Sequence, residues 1–192
     1  MSRVVFLLEE YSMKVLLEGL LPRLLPQLRF VCVAHEGKQD LEKSIPRKLR
    51  AWREPGVRFV VIRDNDGADC AALKRRLVDL CADGKRPDSL VRIACQELDA
   101  WYFGDTPALA TAFGEAKLRS ISARAKYRDP DSIIQPAKVL AKLVKQFQKV
   151  GGARRMAKTM SQENQSRSFQ VLMSGLATVA NEVPTAGRGG VA

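Results

Sequence analysis

Val57-Arg58-Phe59-Val60-Val61-Ile62-Arg63-Asp64-Asn65-Asp66-Gly67 is the stretch on which the fold of this chain turns. Its first half is a nearly continuous apolar run, the pattern of a strand buried on both faces of a parallel sheet. Its second half sets two carboxylates one residue apart beyond the strand, followed by a glycine that permits a tight backbone passage. In an open parallel sheet, functional groups gather at the carboxyl ends of strands. Acids placed there offer oxygen ligands to a hard cation. Asp and Asn in the same place also suit a turn and a helix cap, so the motif alone admits both readings.

Working outward, the same grammar repeats. Val4-Val5-Phe6-Leu7-Leu8 is a second apolar run and ends on Glu9-Glu10; residues 29–34 and 90–95 read as two more strands, the last followed by Gln96-Glu97-Leu98-Asp99. Between them lie helical patterns. Ser12 caps a helix over 13–21 that Pro22 and Pro26 stop. Leu41, Ile45, Leu49 and Trp52 mark a second helix, in which Pro46 opens a separate piece. Asp66 or Asp69 caps a third, with Leu73, Leu77, Leu80 and Cys81 on one face and Gly84 at its end. Strands alternating with helices predict an α/β fold with a mostly parallel sheet flanked by helices.

Beyond Trp101 the pattern becomes helical. A short helix over 109–113, a turn at Asp129-Pro130-Asp131, an amphipathic helix over 136–150 broken by Gly151-Gly152, and a last helix over 169–179 are expected. The organisation predicted is an α/β domain over 1–103, a basic α-helical C-terminal extension over 104–183 packed on it, and a flexible tail over 184–192.

Charge follows that division. The net charge is +11, yet residues 1–100 hold 18 Lys and Arg against 15 Asp and Glu, and the rest holds 14 against 6. A basic excess favours polyanionic partners. Lys142, Lys145, Lys149, Arg154 and Arg155, with Lys38 after the second strand, are the candidate contacts to a phosphate backbone; a solvated helix face is the alternative for the first group, and a helix-start lysine for Lys38. Trp101 and Tyr102 are expected in the core rather than stacked on a base. The four cysteines form no CxxC pair and read as buried thiols of a reducing compartment, not as zinc ligands or disulfides. No apolar run is long enough for a signal peptide or membrane span, so a cytoplasmic protein without a membrane partner is expected. The phosphate-binding, dinucleotide-binding, hydrolase-elbow and HExxH motifs are all missing, so ATP hydrolysis would fall to a separate partner.

Glu9, Asp64, Asp66 and Glu97 all follow strands closely, and one sheet edge is able to collect them. Glu9, Asp64 and Asp66 are the candidate ligands of Mg²⁺ (or Mn²⁺), which needs only one or two carboxylates and keeps several waters. Such an ion polarises a phosphodiester and activates water. Glu10 and Asp99 are expected in support or in solvent.

A glutamate closing the first strand and an Asp-x-Asp closing the third resemble the Toprim domain of topoisomerases, primases and overcoming-lysogenisation-defect type nucleases. Phe6-Leu7-Leu8-Glu9-Glu10, residues 36–41, Asp64-Asn65-Asp66-Gly67, residues 96–102, residues 127–131 and residues 164–169 are similar to an uncharacterised bacterial Toprim-like family. That resemblance implies Glu9 as acid/base or metal ligand, Asp64 and Asp66 as metal ligands and Glu97 as a further acid. It also implies a nuclease acting on DNA or RNA, in bacterial defence or with mobile elements, alongside an ATPase. Toprim domains commonly carry Glu-Gly where this chain has Glu9-Glu10, which leaves the register between the two glutamates open. A non-catalytic nucleic-acid-binding or regulatory subunit is the alternative, and a homo-oligomer is compatible with either. A receiver-like phospho-acceptor is disfavoured: Gln96-Glu97 stands where a hydroxyl is needed, and no Lys-Pro follows.

Overall fold

Four parallel strands form one sheet in the spatial order β2-β1-β3-β4. The chain builds it as β1 (Val4–Leu8), α1 (Tyr11–Leu24), β2 (Phe30–Ala34), α2 (Lys38–Ala51), β3 (Arg58–Asp64), α3 (Cys70–Asp83) and β4 (Leu90–Ala94). The computed structural model describes residues 3–182; the tail expected over 184–192 lies outside them. Leu8 is level with Ala34 on one side and Ile62 on the other, and Asp64 is level with Ala94. The sheet is α/β and all-parallel, as the alternating pattern predicts.

Side-chain alternation along β1 explains the layers. Val4, Phe6 and Leu8 face a core shared with α1 and the later helices; Val5 and Leu7 face a second core shared with α2 and α3. Because both faces are covered, β1 carries five apolar residues in a row, all fully buried. The connection after β1 runs outward to β2, whereas the connection after β3 runs the other way to β4. The direction of winding therefore reverses between β1 and β3. At such a switch point the loops diverge and leave a crevice at the carboxyl ends of the strands. Glu9 and Asp64 stand on either side of it.

After β4 come α4 (Ala100–Gly104), α5 (Thr106–Phe113), three short 3₁₀ segments, α6 (Pro136–Leu143), α7 (Lys149–Thr159) and α8 (Arg167–Glu182). α7 packs along α1 and against α5, while α8 lies against β4. One apolar cluster runs from Phe6 and Leu20 through Trp101 and Met156 to Leu176, so these helices share the core of the sheet's α1 side.

Three helical expectations are corrected. α1 continues through Pro22 to Leu24, and Glu10 rather than Ser12 is its N-cap residue. Burial of Leu20 and Leu21 outweighs the one ladder bond that the proline removes, and Glu18, whose carbonyl loses it, is exposed to water. α2 runs unbroken through Pro46 for the same reason, with Leu41, Ile45 and Leu49 buried. The helix expected over 136–150 is two helices. The chain leaves α6 at Val144 and turns at Gln146, whose φ is +60°. Gly151-Gly152, expected to break a helix, lies inside α7, and a Cβ on Gly152 would come 2.6 Å from the Phe147 ring.

Candidate functional site

Glu9 follows β1 and Asp64 ends β3, and the backbone joins them directly. The Asp64 amide donates to Glu9 Oε2 at 3.1 Å, and Asp64 Oδ1 accepts from the Leu98 amide at 2.9 Å. These two acids are nearly buried, at 9% and 3% exposure, and Asp99 is more so at 1%. Asp66 takes a left-handed conformation, φ +49°, that throws its side chain outward, where Lys38 Nζ lies 3.2 Å from its carboxylate. Its amide donates to the Gln96 carbonyl at 3.0 Å, so the turn after β3 is fastened to the turn after β4. Asp69, not Asp66, caps α3, accepting from the Ala72 amide.

Crowding of acids sets the electrostatics. Burial, then Glu9 and Glu10, push the Asp64 carboxyl well above the ordinary carboxylate range. Burial and the neighbouring Asp66 raise Glu9, against the Asp64 amide and Arg63 Nε, the latter 3.7 Å away. Asp99 is pushed up to about 7, chiefly by burial, with Lys149 opposing and Glu97 and Glu10 adding. Lys149, the first residue of α7, lies 3.1 Å from Glu10 and 3.9 Å from Asp99. Burial pulls its ammonium down, but these two carboxylates outweigh that and hold it charged.

Among the described residues, no group of three or more His, Cys, Asp or Glu side chains is arranged as it stands to hold a metal ion. The chemistry of the donors nevertheless fits a hard divalent cation bound through one or two carboxylates and water. Glu9, Glu10 and Asp99 gather around Asp64, with Lys149 facing Glu10 and Asp99. Both Asp99 oxygens and the buried Tyr102 hydroxyl lack a hydrogen-bond partner. A positive charge at this edge would relieve both the crowding and the orphaned oxygens. Beside it, Lys38, Arg63 and Arg76 line a cavity of about 420 Å³ between α2 and α3. A larger basic hollow of about 750 Å³, with Arg47, Arg50 and Arg53, lies at the far ends of those helices, remote from the acids.

Residues 8–177 match the family model described as "Domain of unknown function (DUF4276)". The chain belongs to that family. Among solved structures, this DUF4276 chain is similar to the C-terminal region of the Xanthomonas campestris pv. campestris OLD protein, in two determinations. One, phased with mercury, is 14% identical with a TM-score of 0.53 over 95% of this chain and 97% of that one. The other, phased with iodine, is 15% identical with a TM-score of 0.55 over 95% and 96%. At such identity the likeness is one of fold. No curated protein matches the chain.

Of the residues singled out from the DUF4276 sequence, Glu9 and Asp64 meet at the crevice, with Asp66 at its rim. Glu97 borders the group but its Oε2 accepts from the Ala137 amide at 3.2 Å, in the first turn of α6, where a negative charge is favoured. Lys149, expected beside Lys142 and Lys145 on one exposed helix face, is instead turned into the acids, because the chain breaks between α6 and α7. Lys142, Lys145, Arg154 and Arg155 remain exposed; Arg155 lies over the Phe113 ring at 5.8 Å. Asp99 is buried rather than solvated. Trp101 and Tyr102 are core residues, as expected.

A polar tie beneath the site escaped the sequence reading. Asp131 accepts from Ser166 Oγ at 2.6 Å and the Ser168 amide at 2.7 Å, and Ser168 Oγ accepts from Trp101 Nε1 at 2.8 Å. Asn164 Nδ2 donates to the Trp101 carbonyl at 2.8 Å. This fastens the start of α8 to α4, and so to the turn that carries Glu97 and Asp99. The sequence marks these segments by their family resemblance and by a density of Ser, Asn and Asp around 129–131 and 164–168, and neither acquires this meaning without tertiary contact.

The raised acids carry a pH signature. Folded Asp64 and Asp99 keep their protons to higher pH than the unfolded chain, whose aspartates titrate near pH 4. Through Asp99 the folded state therefore binds more protons between about pH 4 and pH 7, making stability fall as pH rises through that window, and raised Asp64 acts in the same direction. In EDTA, the melting temperature of the wild type should drop more from pH 5.5 to pH 8 than that of Asp99→Asn. Parallel profiles for the two proteins would refute the assignment.

Proposed function

We propose that this protein is a Toprim-like, magnesium-dependent nuclease that cleaves phosphodiester bonds of DNA or RNA. The observation that carries the reading is the meeting of Glu9 and Asp64 at the β1/β3 crevice, amid more carboxylates than Lys149 can balance. Glu9 and Asp64 would hold Mg²⁺, with Asp66 joining once it leaves Lys38; Mn²⁺ has the same hard-oxygen preference. Bound there, the ion would polarise the scissile phosphate and lower the pKa of a coordinated water.

The chain's own groups supply the rest. Burial raises Glu9, so where Asp64 and Asp66 alone hold the ion, Glu9 is the group placed to act as general acid/base. Lys38 and Arg76, on the wall of the adjoining cavity, offer cations to a phosphate entering from solvent. Lys149 keeps Glu10 and Asp99 from repelling an anionic substrate. The exposed Lys142, Lys145, Arg154 and Arg155 extend a basic surface beyond. With no ATP-binding motif of its own, the chain would work with a separate ATPase, in bacterial defence or with mobile elements.

The second reading is a non-catalytic nucleic-acid-binding or regulatory subunit of such a complex. The Lys38–Asp66 ion pair favours it, since Lys38 already occupies part of the charge that a metal would neutralise. One experiment separates them. Plasmid DNA and RNA are incubated with Mg²⁺ or Mn²⁺ and either wild type or Asp64→Ala/Asp66→Ala. The nuclease reading expects cleavage that falls by about 10²–10³-fold in the variant. Equal cleavage by both, or none by either with an ATPase partner present, would sink it.

A further inference from the structure

Cys70 and Cys95 meet beside the acidic turns, and the hydrolytic reading makes no use of either. Cys70 opens α3 directly after the 64–69 loop, and Cys95 leaves β4 directly before Gln96-Glu97. Their sulfurs lie 3.8 Å apart. Both residues are partly exposed, whereas Cys32 and Cys81 are buried at 3% and 1%. The backbones that bear the pair are already fastened together. Asn65 N donates to the Ala94 carbonyl at 3.1 Å, Asp66 N to the Gln96 carbonyl at 3.0 Å, and Gln96 N to Asn65 Oδ1. Two thiols held 3.8 Å apart by elements so tied stand close to the roughly 2.05 Å of a disulfide.

We propose that Cys70 and Cys95 are a peroxide-sensitive dithiol, whose reversible disulfide clamps the 64–69 loop to the turn after β4. The oxidant is a peroxide. Cys70, as thiolate, attacks one peroxide oxygen; the O–O bond breaks, the sulfur becomes a sulfenic acid, and the leaving oxygen takes a proton as water. Cys95 then attacks the Cys70 sulfur. The S–S bond forms, the S–O bond breaks, and the departing hydroxide leaves as water with the Cys95 proton. Two electrons pass from the dithiol to one hydrogen peroxide, giving one disulfide and two waters. Cys70 is taken as the attacking sulfur because it opens α3 beside the 64–69 loop, partly exposed to an entering peroxide. Cys95, pushed up to about 12 by burial and then by Asp131, keeps its proton until the second step. A reductant thiol reverses the sequence by exchange.

The test uses the full chain and hydrogen peroxide. After oxidation and alkylation, tryptic digestion should yield peptides 64–74 and 93–117 joined, two mass units lighter than their sum, while Cys32 and Cys81 stay alkylated. Dithiothreitol should restore all four thiols. In Cys95→Ser the first step is stranded, and dimedone should label Cys70; in Cys70→Ser peroxide should leave Cys95 as a thiol. The bridge closes a loop of roughly 25 residues, so oxidation should raise the wild-type melting temperature by about 5 °C and leave that of Cys95→Ser unchanged. Recovery of peptides 64–74 and 93–117 fully alkylated after peroxide would overturn the proposal. So would a bridge that engages Cys32 or Cys81, or one that forms only between two chains.

Discussion

Replacing Asp64 by Asn should lower Mg²⁺-dependent cleavage by on the order of 10³-fold while raising the melting temperature of the metal-free chain. The two effects share a cause. Asp64 is 3% exposed and its carboxyl is pushed up by burial, Glu9 and Glu10, so its surroundings disfavour the ionised form. An asparagine keeps an oxygen for the Leu98 amide, and with it the hydrogen bond that the carboxylate accepts from the turn after β4. What disappears is the charge. Without a cation the charge is a burden; with one it is the reason the cation binds. Each kcal/mol gained would appear as about 2–4 °C in a chain of this size. Thermal unfolding in EDTA, beside plasmid cleavage in Mg²⁺, reads both. A variant that melts lower than wild type in EDTA would show that Asp64 is held for the fold rather than for a ligand.

Gly104→Ala should be the most damaging of the conservative changes, destabilising the chain by about 3 kcal/mol or more. Gly104 ends α4, and Asn164 crosses it closely. An added Cβ would lie 1.8 Å from Asn164 Oδ1 and 2.8 Å from the Ser166 amide nitrogen. Neither neighbour is able to retreat cheaply. Asn164 is fixed by its bonds to the Trp101 carbonyl and the Ser166 amide, and the Gln165 amide donates to Gly104 itself at 2.8 Å. A melting temperature about 6–12 °C lower is expected. Gly151→Ala is the control: in α7 its new Cβ would meet only Gln148 Cβ at 3.7 Å, an ordinary contact. There the helix propensity of alanine should give a small gain, about 0.5–1 kcal/mol. Similar losses in both variants would mean that the Asn164 crossing is not the constraint.

Strands were legible in this sequence because each is a local, continuous apolar run, and β1, β2, β3 and β4 lie within a residue of where those runs end. Glu9 and Asp64 were legible because acids after parallel strands must come to one edge. The helices were harder. Pro22 and Pro46 argue locally for breaks, yet the burial of Leu20, Leu21, Ile45 and Leu49 decides otherwise, and burial is a tertiary quantity. The split between α6 and α7 was hidden because the apolar spacing continues across it while the backbone does not. Lys149 suffered from that error directly. Placed on a continuous helix it belongs to a basic face; placed at the head of a new one it points at Glu10 and Asp99. Asp99 was left between a supporting and a solvated acid because nothing adjacent in sequence announces its burial. The Cys70–Cys95 contact joins two elements 25 residues apart and leaves no local trace.

The packing of α7 on α1 has a consequence for how the chain is made. α1 presents Met13, Leu16, Leu17, Leu20 and Leu21 inward, and much of their cover is a helix that starts at Lys149. At about 5–20 residues per second, a ribosome needs on the order of ten seconds to make the intervening segment. The sheet can form in that interval, since β1 to β4 are complete by Ala94, but one flank of α1 stays bare until α7 emerges. The apolar face is thus an obligatory waiting surface during synthesis. Truncation before α7 should therefore yield a chain that aggregates or is held by chaperones, even though every strand of its sheet is present.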